Sequence, residues 1–357
     1  MSKQGIILLA AMSSTFDLKK LFLYTCVRGF FNEWVYMRTF RFLWIFLAVS
    51  FYANANDSNR IENAVAFSSA SSVYEWDEQR VFFKKNGYLW IKNFFSNEQV
   101  RSLQNWTDEI GVTAQSILTL AKNSGKNTQY LAQVPGTLIA VPESSNPLQV
   151  CRAEDLLTCY PDLHLFVVGT LTSYINQLTE EPYVVFKDKI NFKWPGGGAF
   201  IPHQDFPAYE SFGPREHITA MVSIDPATVE NGCLYVAEEW QETVAGDPAI
   251  NALDLEVGRA ILPYIVGGSS HGSIQPQYSE KMSWLALETS PYDLVLINSF
   301  VPHYSEPNRS SNSRRAMFFT HNRLQEGEHR EAYYQAKRYD PYNPTFHFAT
   351  PTDGRNK

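Results

Sequence analysis

Within the stretch FIPHQDFPAY, residues 200–209, His203 and Asp205 stand two positions apart among apolar and aromatic neighbours. Polar groups in such company are costly unless something pairs with them. In an extended strand, side chains at i and i+2 leave the same face, so this imidazole and carboxylate would enter one space. The pair suits a metal, or a hydrogen-bonded couple in a turn; with eight histidines in the chain, it decides nothing alone. Downstream, FVPHYSEPNRSSNSRRAMFF contributes His303, at the end of the apolar run LVLINSFV, and Arg314, eleven positions later and opening another β-rich run. Two imidazoles and one carboxylate on one face fill three corners of an octahedron and leave three open, as a non-haem Fe(II) oxygenase requires. An arginine on a neighbouring strand can clamp a distal carboxylate through two charge-assisted hydrogen bonds. Arg315 is the rival for that role, but alternation should turn it to the opposite face. His164, His217, His271, His321, His329 and His347 read as surface or structural residues.

These side chains need a scaffold of short strands, and from Tyr183 onward the chain supplies one. VVFKDKINFKW, AFIPHQDF, HITAMVSID, CLYVAEEW, YDLVLINSFV and RRAMFFTHNRL are separated by Gly, Pro and Asn turns. That texture predicts an antiparallel sandwich or barrel, not a parallel α/β sheet. Upstream, a helix is expected over 77–85, a strand over 87–91, and a second helix capped by Ser96 with Val100, Leu103 and Trp106 on its apolar side. A further helical segment is expected over 162–177. The glycine-bearing segment 244–283 reads as an insertion or lid.

At 357 residues, 44% hydrophobic and 14% aromatic, the chain has ample material for a packed core. Its formal net charge of -7 offers no electrostatic case for nucleic acid, which leaves a small molecule as the expected partner. None of Cys26, Cys151, Cys159 and Cys233 forms a CxxC pair, so a thiolate zinc site is not expected. Cys151 and Cys159 could bridge, or be buried thiols. Residues 37–55 resemble a secretory signal peptide beginning at Met37, with Arg38 and Arg41 before an apolar run that is too short for a membrane span. The expected divisions are an extension over 1–36, that segment, a polar linker over 56–76, one domain over 77–350 and a tail over 351–357. No integral membrane domain is expected. The expectation for location stays open between cytoplasmic and, if 37–55 is used, exported.

Four stretches together, FFKKNGYLWIKNFFSNEQV, FKDKINFKWPGGGAFIPHQD, VENGCLYV and PHYSEPNRSSNSRRAMF, resemble the phytanoyl-CoA dioxygenase family of Fe(II)/2-oxoglutarate oxygenases. The resemblance implies a mainly β fold with flanking helices, built on a double-stranded β-helix (jelly-roll) core. It implies His203, Asp205 and His303 as iron ligands, with Arg314 and Ser305 at the far carboxylate of 2-oxoglutarate. Fe(II), 2-oxoglutarate and O2 are then the expected cofactors. The retained Asp205 favours hydroxylation over halogenation.

Val185–Lys193 alternates, with Lys187, Lys189, Asn191 and Lys193 on one face and Ile190 and Phe192 on the other. Three lysines on one face usually mean solvent, but in the family this strand lines the barrel. A lysine pointing inward needs an anion such as a phosphonate, phosphate or carboxylate. The resemblance sets Asn191 near the cosubstrate, and Lys189, Lys187 and Tyr209 near the substrate. The stretch running from Phe186 through HQD to Tyr209 is most similar to the subgroup holding 2-aminoethylphosphonate dioxygenases. Two other classes would share the ligands: a non-catalytic metal-binding jelly-roll, and a zinc hydrolase, which would leave Arg314 unexplained.

Overall fold

A computed structural model describes residues 66–68, 73–126, 134, 136–143, 146–340 and 343–347. The extension, the signal-like segment 37–55 and the tail lie outside the described residues. Twelve strands are seen among those described: β1 Ala66–Ser68, β2 Tyr88–Lys92, β3 Ile139–Glu143, β4 Asn146–Glu154, β5 Tyr183–Lys193, β6 Phe200–His203, β7 His217–Ser223, β8 Leu234–Glu238, β9 Ser283–Leu287, β10 Leu294–Asn298, β11 His303–Ser305 and β12 Arg314–Arg323. They form an eight-stranded sheet, β1-β2-β10-β7-β12-β5-β4-β3, and a four-stranded sheet, β6-β11-β8-β9. All pairings are antiparallel except β1 with β2. β1 falls inside the stretch expected as a linker.

The large sheet is covered on one face and hollow on the other because its strands alternate with period two. Ile190, Phe192, Ile218, Ala220, Leu296, Met317 and Phe319 point outward into the main core, packed on Leu103, Ile110 and Leu118 of helix α2, Asn97–Ser124. Their neighbours Met221, Val295 and Ile297 point inward and meet Leu234, Val236 and Leu287 of the small sheet. Facing antiparallel sheets with helices on the outside are the jelly-roll expected. α2 starts where Ser96 accepts from the Gln99 amide (3.2 Å) and Gln99 answers on the Ser96 amide (2.9 Å), a reciprocal capping box. It ends at Gly125, whose φ of 66° closes the last turn.

Two local expectations are revised and one alternative is decided. Helix α1 covers Val73–Asn86, wider than expected. The helix expected over 162–177 contains a π-helical turn at Val167–Thr172 between Pro161–Phe166 and Ser173–Thr179. Cys151, Cys159 and Cys233 are all free thiols, so the optional bridge is not made. Segment 244–283 has its own small core around Trp240, Val244, Leu262, Ile274 and Tyr278. No described helix is long and apolar enough to cross a membrane.

Candidate metal centre

β6 and β11 are antiparallel neighbours in the small sheet, and His203 and His303 stand directly opposite each other in that register. Their rings lie 4.2 Å apart. Each Nδ1 donates to the carbonyl two residues earlier, His203 to Ile201 (2.7 Å) and His303 to Val301 (3.0 Å). A carbonyl can only accept, so both Nε2 lone pairs are left to face the gap between the sheets. Asp205 Oδ1 lies 3.7 Å from His203 Nε2 and 4.0 Å from His303 Nε2. Both separations are less than two metal–ligand bonds of about 2.1 Å, so one ion could touch all three. Among the described residues this is the one His/Cys/Asp/Glu cluster fit for a metal.

Alternation explains this face only in part. The strand stops at His203, and Asp205 adopts helical dihedrals (φ -77°, ψ -29°) at the start of the single turn Phe206–Tyr209. The carboxylate therefore arrives by a turn of the chain and not as the next same-face strand residue. His303 likewise opens a strand where the sequence suggested it ended one. The Val301 amide donates to the Asn298 carbonyl (3.0 Å), turning the chain out of β10 and into the other sheet.

Electrostatics agree with a ligand set. Burial, helped by the neighbouring His303, pushes the His203 imidazole down to about 3 and keeps it neutral. Burial alone would raise the Asp205 carboxyl; both imidazoles, Lys189 and Lys187 outweigh it and hold the group below the usual carboxylate range.

A cavity opens from this centre. Its walls include Lys189, Asn191, Tyr209, Thr219, Ser305, Arg314 and Phe318. Arg314 faces inward, as expected, with Nη2 donating to the Gly232 carbonyl (2.8 Å) and Nε buried without a partner. Arg315 faces outward into a two-bond pair with Asp225 (2.9 Å each) and an ion pair with Asp108. Asn191 Oδ1 is also buried and unpartnered. These orphaned atoms, a guanidinium N–H and a carboxamide oxygen, are what an added polar ligand would satisfy.

The lysine face is turned inward and not to bulk solvent: Lys187 and Lys193 are buried and Lys189 is half-buried on the cavity wall. Among the described residues neither Lys187 nor Lys189 has a carboxylate at ion-pair distance. Lys187 does not line the cavity: its ammonium sits 4.4 Å from the Tyr209 ring, which stands in front of it. Burial, with Lys189 adding repulsion, brings Lys187 down to about 7. Sequence reasoning missed Arg152, which is paired with Asn191 across β4 and β5, and Lys337, which pairs with Glu154 (2.6 Å). Both belong to elements whose approach to β5 has no local signal. His217, expected to be surface or structural, is fully buried among Phe186, Phe206 and Tyr209 with both ring nitrogens unpartnered.

The sequence pattern of the phytanoyl-CoA dioxygenase (PhyH) family matches residues 83–316. The chain belongs to that family. It is 35% identical to a 2-aminoethylphosphonate dioxygenase of the uncultured bacterium HF130_AEPn_1, over 74% of this chain and 88% of that one. A methylphosphonate hydroxylase of Gimesia maris is 29% identical over 73% and 86%. Among solved structures, apo EctD from S. alaskensis superposes with a TM-score of 0.52 at 16% identity, covering 72% of this chain and 79% of that one; this likeness concerns the fold. The protein is an Fe(II)/2-oxoglutarate-dependent dioxygenase, with O2 as cosubstrate.

Proposed function

We propose that this family member hydroxylates a C–H bond of a small organophosphonate, with 2-aminoethylphosphonate the first candidate, releasing succinate and CO2. The observation that carries the reading is the inward-facing positive charge beside the triad. Lys187, Lys189 and Arg152 gather on the cavity side of β4 and β5, and the nearby carboxylate, Glu154, is shared with Lys337. Unpaired buried ammonium groups cost several kcal/mol each, so they are retained where an anion meets them. A phosphonate, with three oxygens and up to two charges, answers several cations at once, as one carboxylate does not. The relatives' named activities point the same way.

In this reading His203, Asp205 and His303 hold the iron. Arg314 and Ser305 take the distal carboxylate of 2-oxoglutarate, and Asn191 lies near its other end. Lys189 receives the phosphonate, with Lys187 supporting from behind the Tyr209 ring. Iron and 2-oxoglutarate, once bound, supply the oxidising power by decarboxylation with O2. The side chains contribute placement: the carbonyl-anchored imidazoles keep the ligand face rigid, and Tyr209, Met221 and Phe318 exclude water from the reacting carbon.

The test is succinate release from 2-oxoglutarate by the Fe(II)-loaded full chain, with 2-aminoethylphosphonate, methylphosphonate and β-alanine as additions and Asp205→Ala as control. Asp205-dependent succinate that rises with a phosphonate and not with β-alanine is expected. Stimulation by β-alanine alone would discard the phosphonate, and Asp205-independent release would discard the ligand assignment.

A further inference from the structure

Lys193 is the last residue of β5 and pairs with Arg314 across to β12. Its side chain is 5% exposed, yet it meets no carboxylate within ion-pair distance among the described residues. Its ammonium donates to Ser305 Oγ (2.9 Å), to the Glu306 carbonyl and, at 3.5 Å, to the Gly232 carbonyl that Arg314 also uses. An ammonium has three protons and no lone pair, and these contacts use all three. Ser305 Oγ must therefore accept from Lys193, and its own proton is left to point elsewhere. No described protein atom accepts that proton, and Ser305 borders the cavity.

We infer that Lys193 is a positioning residue for the cosubstrate: by donating to Ser305 Oγ it aims the serine hydroxyl proton at the distal carboxylate of 2-oxoglutarate, beside the free Nε of Arg314. The inference rests on the assignment of Arg314 and Ser305 to that carboxylate. Gly232 shows that the arrangement is built. Its φ is +76°, and a Cβ there would lie 2.2 Å from the Glu306 oxygen and 2.8 Å from Lys193 Nζ, so a side chain would displace the ammonium. Burial and the adjacent Arg314 push the Lys193 ammonium down to about 7. Two cations without a counter-ion await a negative group, and an incoming carboxylate would relieve their repulsion.

The experiment compares 2-oxoglutarate with 2-oxopentanoate, which has the same chain length and a methyl group in place of the distal carboxylate. Dissociation constants for both are measured by anaerobic calorimetry on Mn(II)-loaded full-length protein. The variants are Lys193→Met, Lys193→Gln, Ser305→Ala, the Lys193→Met/Ser305→Ala double variant and Arg314→Leu. A hydrogen bond to a charged group corresponds to roughly 10-fold or more in affinity. Lys193→Met should weaken 2-oxoglutarate by about that factor and leave 2-oxopentanoate unchanged. Ser305→Ala should do the same, the double variant should be no worse than either, and Lys193→Gln, which keeps a donor, should recover part of the loss. Equal weakening of both ligands, or of neither, would make Lys193 a structural tie and overturn the inference. If Arg314→Leu leaves discrimination between the two ligands intact, the cosubstrate assignment itself falls and takes the inference with it.

Discussion

In the proposed reading, Lys189 separates charge needed for binding from charge needed for folding. Its ammonium lies 5.1 Å from the Phe318 ring with no ion-pair partner among the described residues, and burial lowers its pKa. A charge held this way destabilises the empty protein and is repaid when an anion arrives. Lys189→Met should therefore raise the phosphonate KM by roughly 10- to 100-fold, the worth of a charged hydrogen bond. The 2-oxoglutarate KM should stay within about twofold. The same variant should resist urea better than the parent, because methionine needs no counter-charge. Succinate initial rates read the first effect and unfolding midpoints the second; a variant with both KM values raised equally would move Lys189 to the cosubstrate instead.

At the scale of elements, helix α3, Arg330–Tyr339, closes the outer end of β4 and β5 through charges. Lys337 reaches Glu154 (2.6 Å), Arg338 and Arg330 reach Asp155 (2.5 and 2.7 Å), and Arg330 also pairs with Asp188. The Tyr334 hydroxyl donates to the Asp188 carbonyl (2.8 Å). Burial alone would raise the Glu154 carboxyl, but Lys337 and Arg152 outweigh it and hold the group far below the ordinary carboxylate range. A carboxyl with a depressed folded pKa stabilises fully above its unfolded value, near 4.5, and loses that contribution as pH falls through the folded pKa. Glu154→Gln should cost roughly 3–5 kcal/mol at pH 7 by stranding Lys337 and Arg152. The gap between parent and variant should narrow between pH 5 and the acid limit of folding. Urea titrations at pH 7, 5 and 4 give the answer; a gap constant with pH would mean that Glu154 contributes shape and not charge.

For the whole molecule, the proposed iron ligands and the proposed cosubstrate anchor stand on opposite sheets. His203 and His303 belong to the small sheet and Arg314 to the large one. Iron and 2-oxoglutarate held together would tie one sheet to the other, and only the folded sandwich presents both. At free ligand 100-fold above Kd, such binding adds about 2.7 kcal/mol to stability. Thermal unfolding should therefore rise on adding Mn(II) with 2-oxoglutarate, fall back after chelation, and show no ligand response in Asp205→Ala. A response retained in Asp205→Ala would place the ion elsewhere.

Much of this was legible in the chain. Period-two alternation separated Arg314 from Arg315 and Lys189 from Ile190, because a strand's faces follow from covalent geometry alone. The capping box at Ser96 and Gln99 is likewise local. Other features depended on partners distant in sequence. The turn that delivers Asp205 is held by the Phe206 amide on the Ser299 carbonyl, and His303 begins a strand because it pairs with His203 of β6 and Val236 of β8. Whether the lysine face met solvent or protein was undecidable from β5 by itself. An alternating strand looks the same at a wet edge and inside a sandwich, and burial is set by β4, β12 and the opposite sheet. The residue types and their order determined the chemistry available to this protein. Tertiary structure decided which charges are stranded, since the cost of a charge depends on what surrounds it and the chain order does not state its surroundings.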